Sequence, residues 1–219
     1  AGVYWKSNDF SVSTSYLSRN GNLSCPNTET CENAGGIATD AASNSATTQI
    51  AYAPENWGVA VAYTYSDGNS YYIGNANVQV AGGAADYTNS YGLSAWWTPE
   101  ESGWIPSISA GYGGSWFEFD GTDDDAYAQS WYVGLEWDDV FIEGNSLGIA
   151  GGQPTYAVEV DGDAVKEGAG YAWELFYKFQ VTDNISVTPA ITYLFKPDPA
   201  QDEDGMSAFS GLIKTQFKF

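Results

Sequence analysis

Along most of this chain an apolar or aromatic residue is followed by a small or polar one, in runs of roughly ten residues. Trp57, Val59, Val61, Tyr63 and Tyr65 alternate with Gly58, Ala60, Ala62, Thr64 and Ser66, and Trp131, Val133, Leu135 and Trp137 alternate with Ser130, Tyr132, Gly134 and Glu136. The last run sets Phe209, Gly211, Ile213, Phe217 and Phe219 against Ser210, Leu212, Lys214, Gln216 and Lys218. A period of two marks a strand with two different surroundings, because successive side chains leave a strand on opposite faces. The same pattern predicts strands at Val3–Lys6, Phe10–Ser18, Thr47–Ala53, Trp57–Ser66, Ser90–Thr98, Trp104–Trp116, Tyr127–Trp137, Asn145–Gly152, Tyr171–Val181 and Ile185–Phe195. With the closing run that makes about eleven strands.

The connections alternate too. Ser7-Asn8-Asp9, Pro54-Glu55-Asn56, Pro99-Glu100-Glu101-Ser102-Gly103 and Thr182-Asp183-Asn184 read as tight turns, while residues 19–45, 67–88, 120–125 and 153–168 read as long polar loops. Tight turns join only neighbouring strands, so the order is up-and-down and antiparallel. Short turns on one side and long loops on the other are also what a strand-built membrane protein shows.

Aromatic residues support that reading by their position. Trp57, Trp97, Trp104, Trp137, Phe179 and Phe219 fall at turn-side strand ends, and Tyr16, Tyr65, Tyr91, Trp116, Tyr171, Tyr193 and Phe209 at loop-side ends. Rings at both membrane interfaces produce two such girdles, whereas a soluble sandwich gathers its bulk at strand centres. No run approaches the roughly 18 apolar residues of a transmembrane helix, and a closed barrel is the other way to cross a bilayer. The expected fold is all-β, a transmembrane up-and-down antiparallel β-barrel, with residues 1–219 forming a single barrel domain. Single-chain bacterial barrels have even strand numbers, so an odd count suggests the C-terminal portion of a larger barrel of about 16 strands.

Composition narrows the chemistry. Aromatic residues make up 16% of the chain and there are 25 glycines, yet the mean hydropathy is −0.29. Ser, Thr, Gly and Ala fill the places between the rings, which suits strands with one wet face better than a soluble core. Seven basic against 28 acidic residues give a net charge of −21, which excludes nucleic acid as a partner. With no His, neither His-based catalysis nor a His metal site is available. The acidic stretches Asp120–Asp125 and Asp198–Asp204 lack the EF-hand ligand spacing and read as solvated loops, so no metal site or cofactor is expected. No pair of carboxylates stands out, and no enzyme activity is expected. Cys25 and Cys31 lie in a Ser- and Asn-rich loop without His partners, which suits a disulfide clipping an exported loop. With no initiator Met and no signal segment, the chain reads as processed or partial.

Three stretches carry a more specific likeness. Asn145-Ser146-Leu147-Gly148-Ile149-Ala150-Gly151-Gly152-Gln153-Pro154, the run from Glu174 to Ala190, and Lys214-Thr215-Gln216-Phe217-Lys218-Phe219 resemble the C-terminal half of cyanobacterial outer-membrane porins of the carbohydrate-selective family, from about Asn56 onward. The resemblance implies a cell outer-membrane channel passing small hydrophilic solutes, inorganic ions including iron and also sugars. Its partners would be outer-membrane lipid and those solutes, with a homotrimer as a further expectation. Members of the family usually carry an N-terminal S-layer-homology domain that binds the cell wall, and it is not visible here. Cell-wall contact would therefore run through a region absent from this sequence.

In a porin the working residues face the lumen. Strand parity puts Lys178, Lys196, Lys214, Lys218, Glu136 and Glu174 there, so a locally basic wall behind an acidic mouth could select by charge. The plainer reading is that these lysines pair with the two glutamates across strands and keep the lumen wet. Two other functions compete: a secreted sugar-binding β-sandwich, and a non-conducting structural barrel of the outer membrane.

Overall fold

The structure is a computed structural model describing residues 1–19, 42–70, 85–101, 103–119, 125–165, 170–196 and 207–218, the side chains of 68–70 excepted. Its strands are β1 (Gly2–Ser7), β2 (Phe10–Arg19), β3 (Ser43–Tyr52), β4 (Trp57–Ser70), β5 (Ala85–Trp97), β6 (Ser107–Phe119), β7 (Asp125–Asp138), β8 (Ser146–Val160), β9 (Asp163–Ala164), β10 (Tyr171–Thr182), β11 (Ile185–Phe195) and β12 (Ser207–Phe217). They form one sheet in chain order, every neighbour antiparallel, with the two-residue β9 folded back on β8. A sandwich needs two sheets, so the sandwich alternative falls. Cys25, Cys31, Phe219 and most of both acidic stretches lie outside the described residues.

Some boundaries differ from the sequence expectation, for identifiable reasons. The strand expected from Trp104 begins at Ser107. Pro106 has no N–H for a ladder and pushes Ile105 out of register, so Trp104 and Ile105 remain in the turn. On the loop side the sheet continues where polar residues suggested it would stop: β4 runs to Ser70, β5 starts at Ala85 and β8 runs to Val160. Pairing with neighbours carries these segments, and Pro154 is accommodated at a register shift opposite Gln129 and Trp131. Asp161 and Gly162, at φ +51° and +76°, close the two-residue hairpin to β9 that a turn with two left-handed residues allows.

Register sorts the side chains onto two faces. One row reads Gly58, Trp96, Ser109, Gly134, Ala150, Glu174, Thr192, Ser210 across β4 to β12. The neighbouring row on the opposite face reads Val59, Ala95, Ala110, Val133, Gly151, Trp173, Tyr193, Phe209. On β4 the large residues Val59, Val61 and Tyr63 are 44%, 53% and 50% exposed, yet Gly58 is buried and Ala60 and Ala62 are half-buried. Trp96 covers Gly58, and the shielding of Ala60 and Ala62 beside exposed large residues follows from a sheet that bends around the small face, which makes that face the inside of the curve. Thr47 with Thr64 at 2.9 Å, Ser66 with Ser45 at 3.0 Å and Ser90 with Ser115 at 2.7 Å join hydroxyls across strands on this inner face.

The inner face is not polar throughout, as alternation alone had suggested. At the loop-side ends of β5 to β8, Ala85, Phe117, Phe119, Ala126, Ala128 and Ala157 are buried together, with Val160 and Val165 packed on them. This apolar cluster seals the upper inner wall. The main buried core therefore lies at one end of the sheet rather than along its middle.

Candidate channel wall

Below that cluster the inner wall is open and lined by small and polar groups. A hollow of about 600 Å3 runs past Ser94, Gly111, Ser130, Tyr132, Gly152, Ala172, Glu174 and Thr192, all on inner-face positions of β5 to β11. A second hollow of about 220 Å3 adjoins it nearer the turns, bordered by Trp96, Ser107, Ser109, Tyr132, Glu136 and Phe176. Glu174 is tied to its row by Thr192, whose hydroxyl donates to a carboxylate oxygen at 3.2 Å.

Three of the aromatic rings on the inner face each lie over a glycine of the preceding strand in the sheet; Tyr4 shares the face, and Phe117 and Phe119 belong to the apolar cluster. A Cβ on Gly58 would come within 2.5 Å of the Trp96 indole nitrogen, one on Gly111 within 2.3 Å of Tyr132, and one on Gly148 within 2.1 Å of Phe176. A ring that sits where a Cβ would be packs closer to the backbone than any other residue at the glycine position would allow. Sequence parity had grouped Tyr132 with the inner residues but had passed over Trp96 and Phe176. Each sits beside another ring, Trp97 or Tyr177, so alternation gives no contrast there.

The expected charged residues divide. Register puts Glu136 opposite Gly148, Glu174 opposite Ala150, Lys178 opposite Ser146 and Lys214 opposite Thr188, all on the inner face. Lys6 and Arg19 join them, opposite Ser11 and Ser43. Lys196 does not lie on a strand: it follows β11 with φ +47°, so the ladder gives it no face. Lys218 lies just past β12, where its N–H donates to the Asn184 carbonyl at 2.9 Å.

The outward face carries its own aromatic order. Trp57 pairs with Trp97 across β4 and β5, while Trp137 and Phe179 sit at the turn-side ends of β7 and β10. Toward the loops, Tyr91, Trp116 and Tyr127 lie in series, their rings tilted by 32° and 35° at 5.2 and 5.0 Å. The Tyr127 hydroxyl meets those of Tyr91 at 2.8 Å and Tyr112 at 3.1 Å, and Tyr112 donates to Gln129 at 2.8 Å. These outward hydroxyls are thus paired within the wall, which lowers the cost of facing hydrocarbon.

A curved antiparallel sheet with a small, hydroxylated inner face and a girdled apolar outer face is the architecture of an outer-membrane barrel. The sequence profile of the carbohydrate-selective porin (OprB) family matches residues 56–219. This chain belongs to that porin family. An uncharacterized protein of Nostoc sp. (strain PCC 7120) is 35% identical over 135 residues, 62% of this chain and 22% of that protein. An uncharacterized protein of Synechocystis sp. (strain PCC 6803) is 37% identical over 92 residues, 41% of this chain and 16% of that protein. The porin chain therefore spans about a fifth of the curated relatives it matches. Among solved structures, a loop-deletion mutant of OmpT, an outer membrane protein of Vibrio cholerae, superposes with a TM-score of 0.61 at 12% identity, over 99% of this chain and 61% of that one. At that identity the likeness is one of fold, a transmembrane up-and-down β-barrel.

Proposed function

We propose that this family member forms the wall of a water-filled channel in the outer membrane through which small hydrophilic solutes diffuse passively. Inorganic ions, iron among them, and sugars are the solutes in view. The observation that carries the reading is the inner face itself: hydroxyls, glycines and a few charges, with three rings set against glycines beside Glu136 and Glu174. Rings of this kind offer apolar faces to a sugar while hydroxyls and carboxylates accept its hydrogen bonds. Lys6, Arg19, Lys178 and Lys214 add positive charge to the same wall, and fixed charge in a narrow aqueous path biases which ions pass. The function is transport, and no catalytic step is assigned to any residue.

Reconstitution into a planar bilayer tests this directly. Stepwise conductance is expected; a protein that inserts and gives no steps is a structural barrel. In a salt gradient, Lys178→Glu with Lys214→Glu should move the reversal potential toward cation preference. An unchanged potential would remove these lysines from the selectivity of the path.

A further inference from the structure

Between Arg19 and Lys166 the chain has neither Lys nor Arg. Strands β3 to β8 all come from that span, and β4 to β7 hold a hollow of about 410 Å3 on their outward face. Its floor is the cross-strand pair Ala95 and Ala110, in the row Val59, Ala95, Ala110, Val133. The next row toward the loops, Val61, Leu93, Tyr112, Trp131, stands beside it as a ridge, and Trp97, Ile108 and Leu135 make the row on the turn side. Two alanines between rows of large side chains leave a trough. It crosses four strands, a length of roughly 14 Å at the usual strand spacing.

The ridge is apolar toward the trough and polar behind it. Tyr112 donates its hydroxyl hydrogen to Gln129 Oε1 at 2.8 Å, and the Trp131 indole N–H donates to Gln153 Oε1 at 2.8 Å. Gln129 lies one row nearer the loops, opposite Gly114, and donates its amide to the Tyr156 hydroxyl; Gln153 continues the ridge's own row beyond Trp131. Gln153 is only 8% exposed. A glutamine amide has two N–H donors and two acceptor sites. Among the described residues these bonds use one donor and one acceptor site of Gln129 and one acceptor site of Gln153, so both amides keep N–H groups. Amides on a face turned to hydrocarbon are costly unless a partner uses them.

We propose that the trough binds one acyl chain of an outer-membrane lipid whose headgroup is uncharged and rich in hydroxyls, with Gln129 and Gln153 donating to that headgroup's oxygens. The occupant is lipid because the trough is continuous with the surface that the barrel turns to the bilayer. Its headgroup is uncharged because a phosphate would meet no Lys or Arg on β3 to β8, while Asp67, Glu118 and Glu159 stand on the outward loop-side ends of these strands. Carboxylates repel a phosphate and accept from hydroxyls. The site rests on the membrane-barrel fold and not on which solutes pass, so a protein that conducts without holding this lipid is a distinct outcome.

Native mass spectrometry of the full protein reads the site, after incubation in detergent with equal amounts of three dioleoyl lipids: monoglucosyl diacylglycerol, phosphatidylglycerol and phosphatidylcholine. One glucosyl lipid per chain should be retained, about tenfold over either phospholipid, the factor expected for two hydrogen bonds at lipid depth. Gln129→Leu with Gln153→Leu should bring the three lipids level, and Ala110→Phe, which fills the floor, should release all three. An unchanged compact band in unheated gel electrophoresis shows that each variant folds, and the wild-type competition stands without either. Equal retention of the three lipids by the wild-type protein overturns the proposal, as does retention of phosphatidylglycerol above the glucosyl lipid once magnesium is added. A stable oligomer that takes up no lipid and falls to single chains in Ala110→Phe also overturns it, for then a second copy fills the trough.

Discussion

Trp96 and Trp97 are neighbours in β5 and serve opposite sides of the wall. Trp97 faces outward beside Trp57, at the edge where the sheet meets the turn side of the bilayer. Trp96 faces inward and lies on Gly58, at the rim of a hollow it shares with Tyr132 and Phe176. Outward rings such as Tyr91, Trp116 and Tyr127 lean on one another and share hydroxyl hydrogen bonds, although Tyr91 also lies over Gly114 and Trp173 over Gly151; among the described residues Trp96, Tyr132 and Phe176 make no ring contacts and rest on glycines alone. The difference follows from the medium. Rings at a lipid boundary gain from contiguous apolar area, whereas a ring beside an aqueous path must keep to the wall or it closes the path.

Alanine at inner glycines should break that comparison in a graded way. At Gly152 a Cβ would come within 2.2 Å of the Trp131 carbonyl oxygen, a backbone atom that cannot swing aside. Gly152→Ala should give the largest effect, a loss of about 3 kcal/mol as typical of overpacking against a fixed neighbour. It is read as an earlier loss of the compact band in unheated gel electrophoresis. Gly148→Ala meets only the tip of Phe176, which can turn into the lumen. Stability should fall by about 1 kcal/mol, while conductance drops because the ring is pushed away from the wall into the lumen. Gly92→Ala has nothing within 4 Å, so a gain of about 0.5 kcal/mol from reduced backbone freedom is expected with conductance unchanged.

The tryptophan pair sharpens the same contrast. Trp97→Ala should lower thermal stability in bilayers by about 1–2 kcal/mol through lost interfacial contact, with solute flux preserved. Trp96→Ala should leave bilayer stability nearly unchanged and alter hexose entry in a liposome-swelling assay. Equal effects of the two on flux would mean that facing decides less than proposed.

Much of this fold was legible because a strand repeats every two residues and a tight turn can only join neighbours. The alternation on β4, β7 and β12, the tight turns and the up-and-down order all follow from those two facts, and the carbohydrate-selective porin family was recognisable from the run between Glu174 and Ala190. The Trp104 strand start failed because a proline effect on the ladder outweighed the apolar pattern. Loop-side strand ends were missed since Asp, Gly and Asn suggest turns unless a paired neighbour supplies the missing hydrogen bonds. Inner rings escaped notice for a similar reason: whether Trp96 or Trp97 faces in depends on register with β4, not on either residue.

The sequence by itself determined that this protein is a sheet with one apolar and one polar face, built to pair in chain order. Only the tertiary structure decided which polar positions share a row, where the inner face turns from open hollow to sealed apolar cluster, and which way the turns fold. Alternation is a property of one strand, carried by its own backbone geometry. Registers, bulges and ring-on-glycine contacts belong to pairs of strands, and they exist only once both are in place.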